Sequence, residues 1–114
     1  MPIRGRMSAR LEPLYSLHEK NVELEDEIDR FVVGLGESVD LLQDAESASD
    51  LDRLDDLATA LAARASRLGY PALEQVATRV CGACQADDKP AVQSALVELT
   101  EVSRRIRLGH RGAA

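Results

Sequence analysis

The stretch Thr59-Ala60-Leu61-Ala62-Ala63-Arg64-Ala65-Ser66-Arg67-Leu68-Gly69-Tyr70, followed by Pro71, decides the fold. Its apolar residues Leu61, Ala65 and Leu68 continue a stripe that begins at Leu51, Leu54, Leu57 and Ala58, with the three-and-four spacing of a helix buried on one side. Gly69 falls where a helix closes with a left-handed residue. Pro71 suits the first turn of the helix that follows, because its missing N–H is one that a helix start leaves unbonded anyway. The start is expected near Ser49-Asp50, with Ser49 and Asp52 approximating a capping box.

Working outward, three more periodic segments appear. Before the motif, Leu24, Ile28, Phe31, Val32, Leu35, Val39 and Leu42 predict a helix from after Asn21 to about Asp44, weakened locally by Gly34 and Gly36. Asn21 is a good N-cap, and Glu23, Glu25 and Asp26 suit the positive end of the helix dipole. After the motif, Leu73, Val76, Ala77, Val80 and Cys84 predict a helix broken by Ala86-Asp87-Asp88-Lys89-Pro90. Val92, Leu96, Leu99, Val102 and Ile106 predict a last helix that frays at Gly109. Leu11, Leu14 and Leu17 suggest a short leading helix over about Arg10–Glu19, capping one end. Short connections between amphipathic helices predict an all-α, antiparallel up-and-down four-helix bundle at 10–108. It is flanked by a basic tail at 1–9 and a second tail at 109–114. The core is expected to contain Ile28, Phe31, Leu35, Leu54, Leu61, Leu68, Val76, Val80, Leu96 and Leu99.

Composition agrees with helix on helix. The 114 residues include two Tyr, one Phe, no Trp and four Pro, and the apolar load is Leu, Val and Ala. One domain is the natural reading of that length. No apolar run approaches the roughly 18 residues that cross a membrane, and the basic start lacks the apolar run of a secretory signal. A cytoplasmic protein is therefore expected. Residues 21–58 carry thirteen acids against two bases, within a chain of net charge −6. Such a surface repels nucleic-acid backbones, so no nucleic acid is expected as a partner. Arg104-Arg105-Ile106-Arg107 reads as a helix end matched to its dipole.

The stretch around Thr59 resembles the signature helix of the histidine phosphotransfer (HPt) family, His-x-Leu-Lys-Gly-(Ser/Ala)-(Ser/Ala/Gly)-x-x-x-Gly-(Phe/Tyr). Leu61, Ala65, Gly69 and Tyr70 fall on matching positions. Asp50 lies nine residues before Thr59, as an acid lies before the family histidine. Phe31 stands where many members have a Phe. Leu11-Glu12-Pro13-Leu14-Tyr15-Ser16 and Tyr70-Pro71-Ala72-Leu73 resemble the leader and the exit of one subgroup. In the register of this resemblance Thr59 occupies the place of the phosphorylated histidine, Ala62 that of the lysine, Ala63 that of the glycine, and Arg64 replaces a small residue.

The resemblance implies a signalling fold whose chemistry has gone. Imidazole is nucleophilic near neutrality, with a pKa of roughly 6.5. A threonine hydroxyl is far weaker and has no evident base beside it. Its phosphate would be an ordinary ester, poor at onward transfer. Ala62 cannot neutralise phosphoryl charge as a lysine does, and Ala63 partly fills the space beside the acceptor. Positions 59, 62, 63 and 66 share one helix face and read Thr, Ala, Ala, Ser, with Asp52, Asp55 and Asp56 one to two turns earlier. This face reads either as a docking surface that has kept its shape, with Thr59 exposed at mid-helix, or as a plain solvent face with ordinary first-turn acids.

Other reactive residues are few. His18 and His110 fall outside the motif helix and read as surface histidines. Cys81-Gly82-Ala83-Cys84 lies mid-helix, where no dipole stabilises a thiolate. No second cysteine pair completes a zinc site. The two cysteines read as small hydrophobes, and neither a metal nor a cofactor is expected. The expectation from the resemblance is a phosphotransfer-incompetent module, monomeric or weakly dimeric, that binds a response-regulator receiver domain or a histidine kinase. The alternatives are active phosphotransfer through another residue, and a structural or oligomerisation bundle outside signalling.

Overall fold

A computed structural model describes residues 12–110, and every regular element among them is helical. A 3-10 turn at Val22–Leu24 leads into α1 (Glu25–Val33), α2 (Leu35–Ser47), α3 (Leu51–Leu68), α4 (Pro71–Gln85) and α5 (Lys89–Gly109). Each of α2 to α5 packs on two others: α3 on α2 and α4, and α5 on α4 and α2. The expected core is buried throughout; Leu35, Leu54, Val80 and Leu99 lose all their exposure. Burying such side chains is the main driving force for this arrangement.

The single helix expected over 21–44 is interrupted. Asn21 caps only the 3-10 turn, its Oδ1 accepting from the Glu23 N–H at 3.0 Å. At Gly34 the backbone leaves helical geometry (φ −86°, ψ 0°), separating α1 from α2. Glycine has the least to lose from such a break. At Gly36 a Cβ would meet only the Arg107 guanidinium, in ordinary contact at 3.4 Å.

The turns that end α2, α3 and α4 share one construction. A left-handed residue follows each helix: Ser49 (φ 57°), Gly69 (φ 85°) and Asp87 (φ 54°). The next N–H then reaches back five residues, Asp50 to the Ala45 carbonyl at 2.9 Å, Tyr70 to Ala65 at 2.8 Å and Asp88 to Ala83 at 3.0 Å. These bonds satisfy carbonyls that a helix end otherwise leaves open. Ser49 therefore does not start α3. Asp50 is its cap, with Oδ1 accepting from the Arg53 N–H at 3.1 Å, and the capping box expected on Ser49 and Asp52 does not form. Asp88 caps α5 in the same way, accepting from the Ala91 N–H at 3.1 Å.

The leading helix is also absent. Arg10 and Leu11 lie outside the described residues, as do 1–9, but Glu12–Ser16 is non-helical and residues 17–20 form a turn. This segment is a strap across two helix ends. The Leu14 N–H donates to the Arg105 carbonyl (2.9 Å) and the Leu17 N–H to the Gly69 carbonyl (2.8 Å). Arg105 Nε returns a bond to the Glu12 carbonyl at 2.8 Å. Buried Ser16 donates through Oγ to the Leu68 carbonyl at 2.5 Å and accepts from the His18 N–H at 2.9 Å. Bonds to those carbonyls replace the intrahelical bonds that the leucine spacing suggested.

The first two residues of the tail expected at 109–114 are held in the fold. Gly109 ends α5, and His110 is held by Asp29, Nε2 to Oδ1 at 3.0 Å, with 12% of its side chain exposed. Residues 111–114 lie outside the description.

Candidate functional site: the Thr59 face

Helix α3 runs from its Asp50 cap to Gly69, and Thr59 lies exposed at its middle. Asp52, Asp56, Ala63 and Ser66 are exposed on the same helix. Two members of the expected docking face turn inward instead: Ala62 is half-buried against the core, and half-buried Asp55 faces α4.

Thr59 is not isolated. Its Oγ1 donates to Asp55 Oδ1 at 3.4 Å and lies 3.3 Å from Cys81 Sγ on α4. Gln85 Nε2 donates to the second carboxylate oxygen of Asp55 at 3.5 Å, and Cys81 Sγ reaches the Asp55 carbonyl at 3.7 Å. The structure thus brings Asp55, Thr59, Cys81 and Gln85 together across the α3–α4 contact. Asp55, one helical turn before Thr59, is the carboxylate within reach of its hydroxyl. Cys81 and Gln85 carried no sequence signal for this contact, because it depends on the relative rotation of two helices.

Electrostatics at this cluster oppose phosphoryl chemistry. Asp55 brings negative charge beside the Thr59 hydroxyl, whereas phosphoryl transfer calls for cations at its acceptor. Arg64, five residues after Thr59, is engaged elsewhere: its guanidinium lies over the Phe31 ring, 5.0 Å from the centroid. Phe31 in turn stacks on Tyr70, with centroids 5.8 Å apart. Arg67 forms a two-bond pair with Glu27 of α1 at 2.9 and 2.7 Å. That pair holds the Glu27 carboxyl below its usual pKa and raises Arg67. Arg79 of α4 pairs with Glu98 of α5.

The thiols are free and poorly poised for nucleophilic work. Burial pushes Cys81 up, despite the Thr59 contact that lowers it. Burial first, then the negative charge of Asp55, pushes Cys84 up to about 11. Thiolate is the reactive form, so neither thiol is activated for attack. Of the histidines, His18 sits half-buried in the strap turn and His110 is paired with Asp29; neither lies on α3. Among the described residues no three or more His, Cys, Asp or Glu side chains converge to hold a metal, and no helix is long and apolar enough to cross a membrane.

Comparison with protein-family models, with curated proteins and with solved structures gives no match.

Proposed function

We propose that α2 to α5 form an antiparallel four-helix bundle of HPt type that binds a receiver domain or a histidine kinase without accepting phosphate. The observation that carries this reading is the environment of Thr59. An exposed residue at mid-helix, in the register of the family acceptor, has a carboxylate 3.4 Å from its hydroxyl and alanines at the positions of the family lysine and glycine. A carboxylate there would raise the energy of an approaching phosphoryl group, and Ala62 supplies no compensating cation. Residues that shape the helix are retained: the Asp50 cap, the left-handed Gly69, and the buried Leu61 and Ala65. A module that keeps the shape and loses the transfer chemistry competes with a true phosphotransfer protein for the same docking surface.

The two alternatives have less support. Neither histidine occupies an exposed mid-helix position, as a relay residue requires. A structural bundle would not need the mid-helix face of α3 left open.

The test is competition. Receiver domains from the same genome, phosphorylated on aspartate, are mixed with a working HPt protein and increasing amounts of this chain. The expected result is inhibited transfer to the working protein, with this chain unlabelled. Label on this chain would overturn the phosphotransfer-incompetent reading. Unaltered transfer, together with no binding to any receiver or kinase of the panel, would favour a structural bundle.

A further inference from the structure

The outer face of α1 and α2 leaves apolar side chains in solvent among unpaired carboxylates. Val33, at the end of α1, is 78% exposed, and Leu41 of α2 is 38% exposed. Glu37, Leu41 and Asp44 are exposed along one face of α2 by the three-and-four rule. Residues 25–47 hold eight acids and one base, Arg30, a net of −7. Two of the eight are engaged, Glu27 by Arg67 and Asp29 by His110. The other six form no ion pair among the described residues. Arg104 and Arg107 of α5 and Arg64 of α3 border α2, yet none pairs with its carboxylates.

The complement to this face is in the same chain. Residues 1–11 contain Arg4, Arg6 and Arg10 and no acid, with Ile3, Met7 and Leu11 recurring every four residues between them. They lie outside the description, but their point of attachment is described. The Glu12 carbonyl accepts from Arg105 Nε at 2.8 Å, and the Leu14 N–H donates to the Arg105 carbonyl at 2.9 Å. Pro13 and Leu14 lie against Gly109, and the next residue, His110, holds Asp29 of α1 at 3.0 Å. The start of α2 is also near, because the Arg107 guanidinium stands over Gly36. Leu41 is five residues farther along α2, about 8 Å at the helical rise. Eleven residues can span about 36 Å, so the segment can reach the whole of this face.

We propose that the outer face of α1 and α2 binds the chain's own basic segment, residues 1–11, with its arginines meeting the unpaired carboxylates and Ile3 and Met7 meeting Val33 and Leu41. Single exposed ion pairs are weak. Several of them on a tethered segment add up, because the tether sets an effective concentration in the millimolar range. Arginine suits such a face, since its stem covers apolar surface while its head stays among carboxylates. The contact involves neither α3 nor Thr59 and does not depend on the phosphorelay reading.

Trypsin gives the test, because it cuts after arginine and reaches Arg4, Arg6 and Arg10 when the segment leaves the face. At low salt, about 20 mM NaCl, cleavage after Arg6 in the full chain should be about fivefold slower than in a free peptide of residues 1–11. The difference should vanish near about 0.5 M NaCl, where exposed charges are screened, with the peptide correcting for any effect of salt on trypsin. Asp26→Asn with Glu37→Gln and Asp44→Asn should restore the peptide's rate, and Leu41→Ser should restore it in part. All four positions are exposed, so these variants leave the core intact. In the full chain, Arg4→Gln with Arg6→Gln and Arg10→Gln should shift the Val33 and Leu41 methyl resonances. Cleavage at the peptide's rate in the unmodified chain would overturn the proposal, as would undiminished protection in the carboxylate variant or unmoved methyl resonances. Protection that grows with protein concentration would also overturn it, by assigning the face to the segment of a second copy.

Discussion

The hairpin of α3 and α4 and the strap at Glu12–Lys20 meet at Gly69, and they are specified in opposite ways. The hairpin is written locally. A stripe of leucine and alanine, a glycine for the left-handed residue and a proline for the next first turn each point to the same structure. The strap is written at a distance. Leu14 and Leu17 have helical spacing, but their N–H groups bond to carbonyls at the ends of α5 and α3. Gly69 serves both regions: its φ of 85° ends α3, and a Cβ there would lie 2.8 Å from Ser16 Oγ and 2.9 Å from the Leu17 nitrogen.

The sharpest way to separate the two regions is to damage one. Leu61→Ala removes a buried side chain from the middle of α3 and should cost about 2–5 kcal/mol in global stability by chemical denaturation. A loss below about 0.5 kcal/mol, the range of surface changes, would mean the stripe does not face the core. Gly69→Ala should cost about 2 kcal/mol, adding a left-handed alanine to close contact with the strap. Its distinguishing effect is local: the Leu17 amide should exchange with solvent much faster, while amides at mid-α3 speed up only in proportion to the loss of global stability. Equal changes in both would show that strap and hairpin are one cooperative unit. Ser16→Ala leaves the Leu68 carbonyl without this partner and should cost about 1 kcal/mol, again with the effect concentrated in the strap.

The cysteines give the smallest effect. With the folded pKa of Cys84 at about 11, the native thiol should resist alkylation near pH 8. Because the folded pKa is raised, the unfolded chain releases its proton first as pH rises. The fold should therefore lose a little stability from the unfolded thiol pKa up to about pH 11, a slope that Cys84→Ala should reduce and that Cys81, also raised, should keep in part. Fast alkylation of Cys84 in the folded protein at pH 8 would contradict its burial.

This contrast explains what the sequence made legible. All ten expected core residues are buried because helical periodicity is a short-range signal. Gly69 and Pro71 announced their roles because few other residues suit those geometries. Ser49 and Asp87 did not announce theirs, since serine and aspartate serve equally as caps, and only the chain direction around them selects the left-handed form. The break at Gly34 was visible as weakness but not as an ending. At the Thr59 face, exposure followed from the stripe, whereas the Asp55–Thr59–Cys81–Gln85 cluster required knowing how α4 lies on α3. His110 was read as part of a tail because its partner, Asp29, is far away in sequence.

That cluster also refines the chemistry. On the proposed HPt-type reading, phosphotransfer would call for a nucleophile at 59, a cation at 62 and space at 63, and the Asp55–Thr59 contact adds removal of the charge at 55. The most direct measurement is transfer of labelled phosphate from a phosphorylated receiver that binds this chain. It should be run on the unmodified protein, on Thr59→His alone, and on Thr59→His with Ala62→Lys, Ala63→Gly and Asp55→Asn. The account predicts no label on the first, little on the second and clear labelling of the fourfold variant. Efficient labelling of the unmodified protein would contradict it.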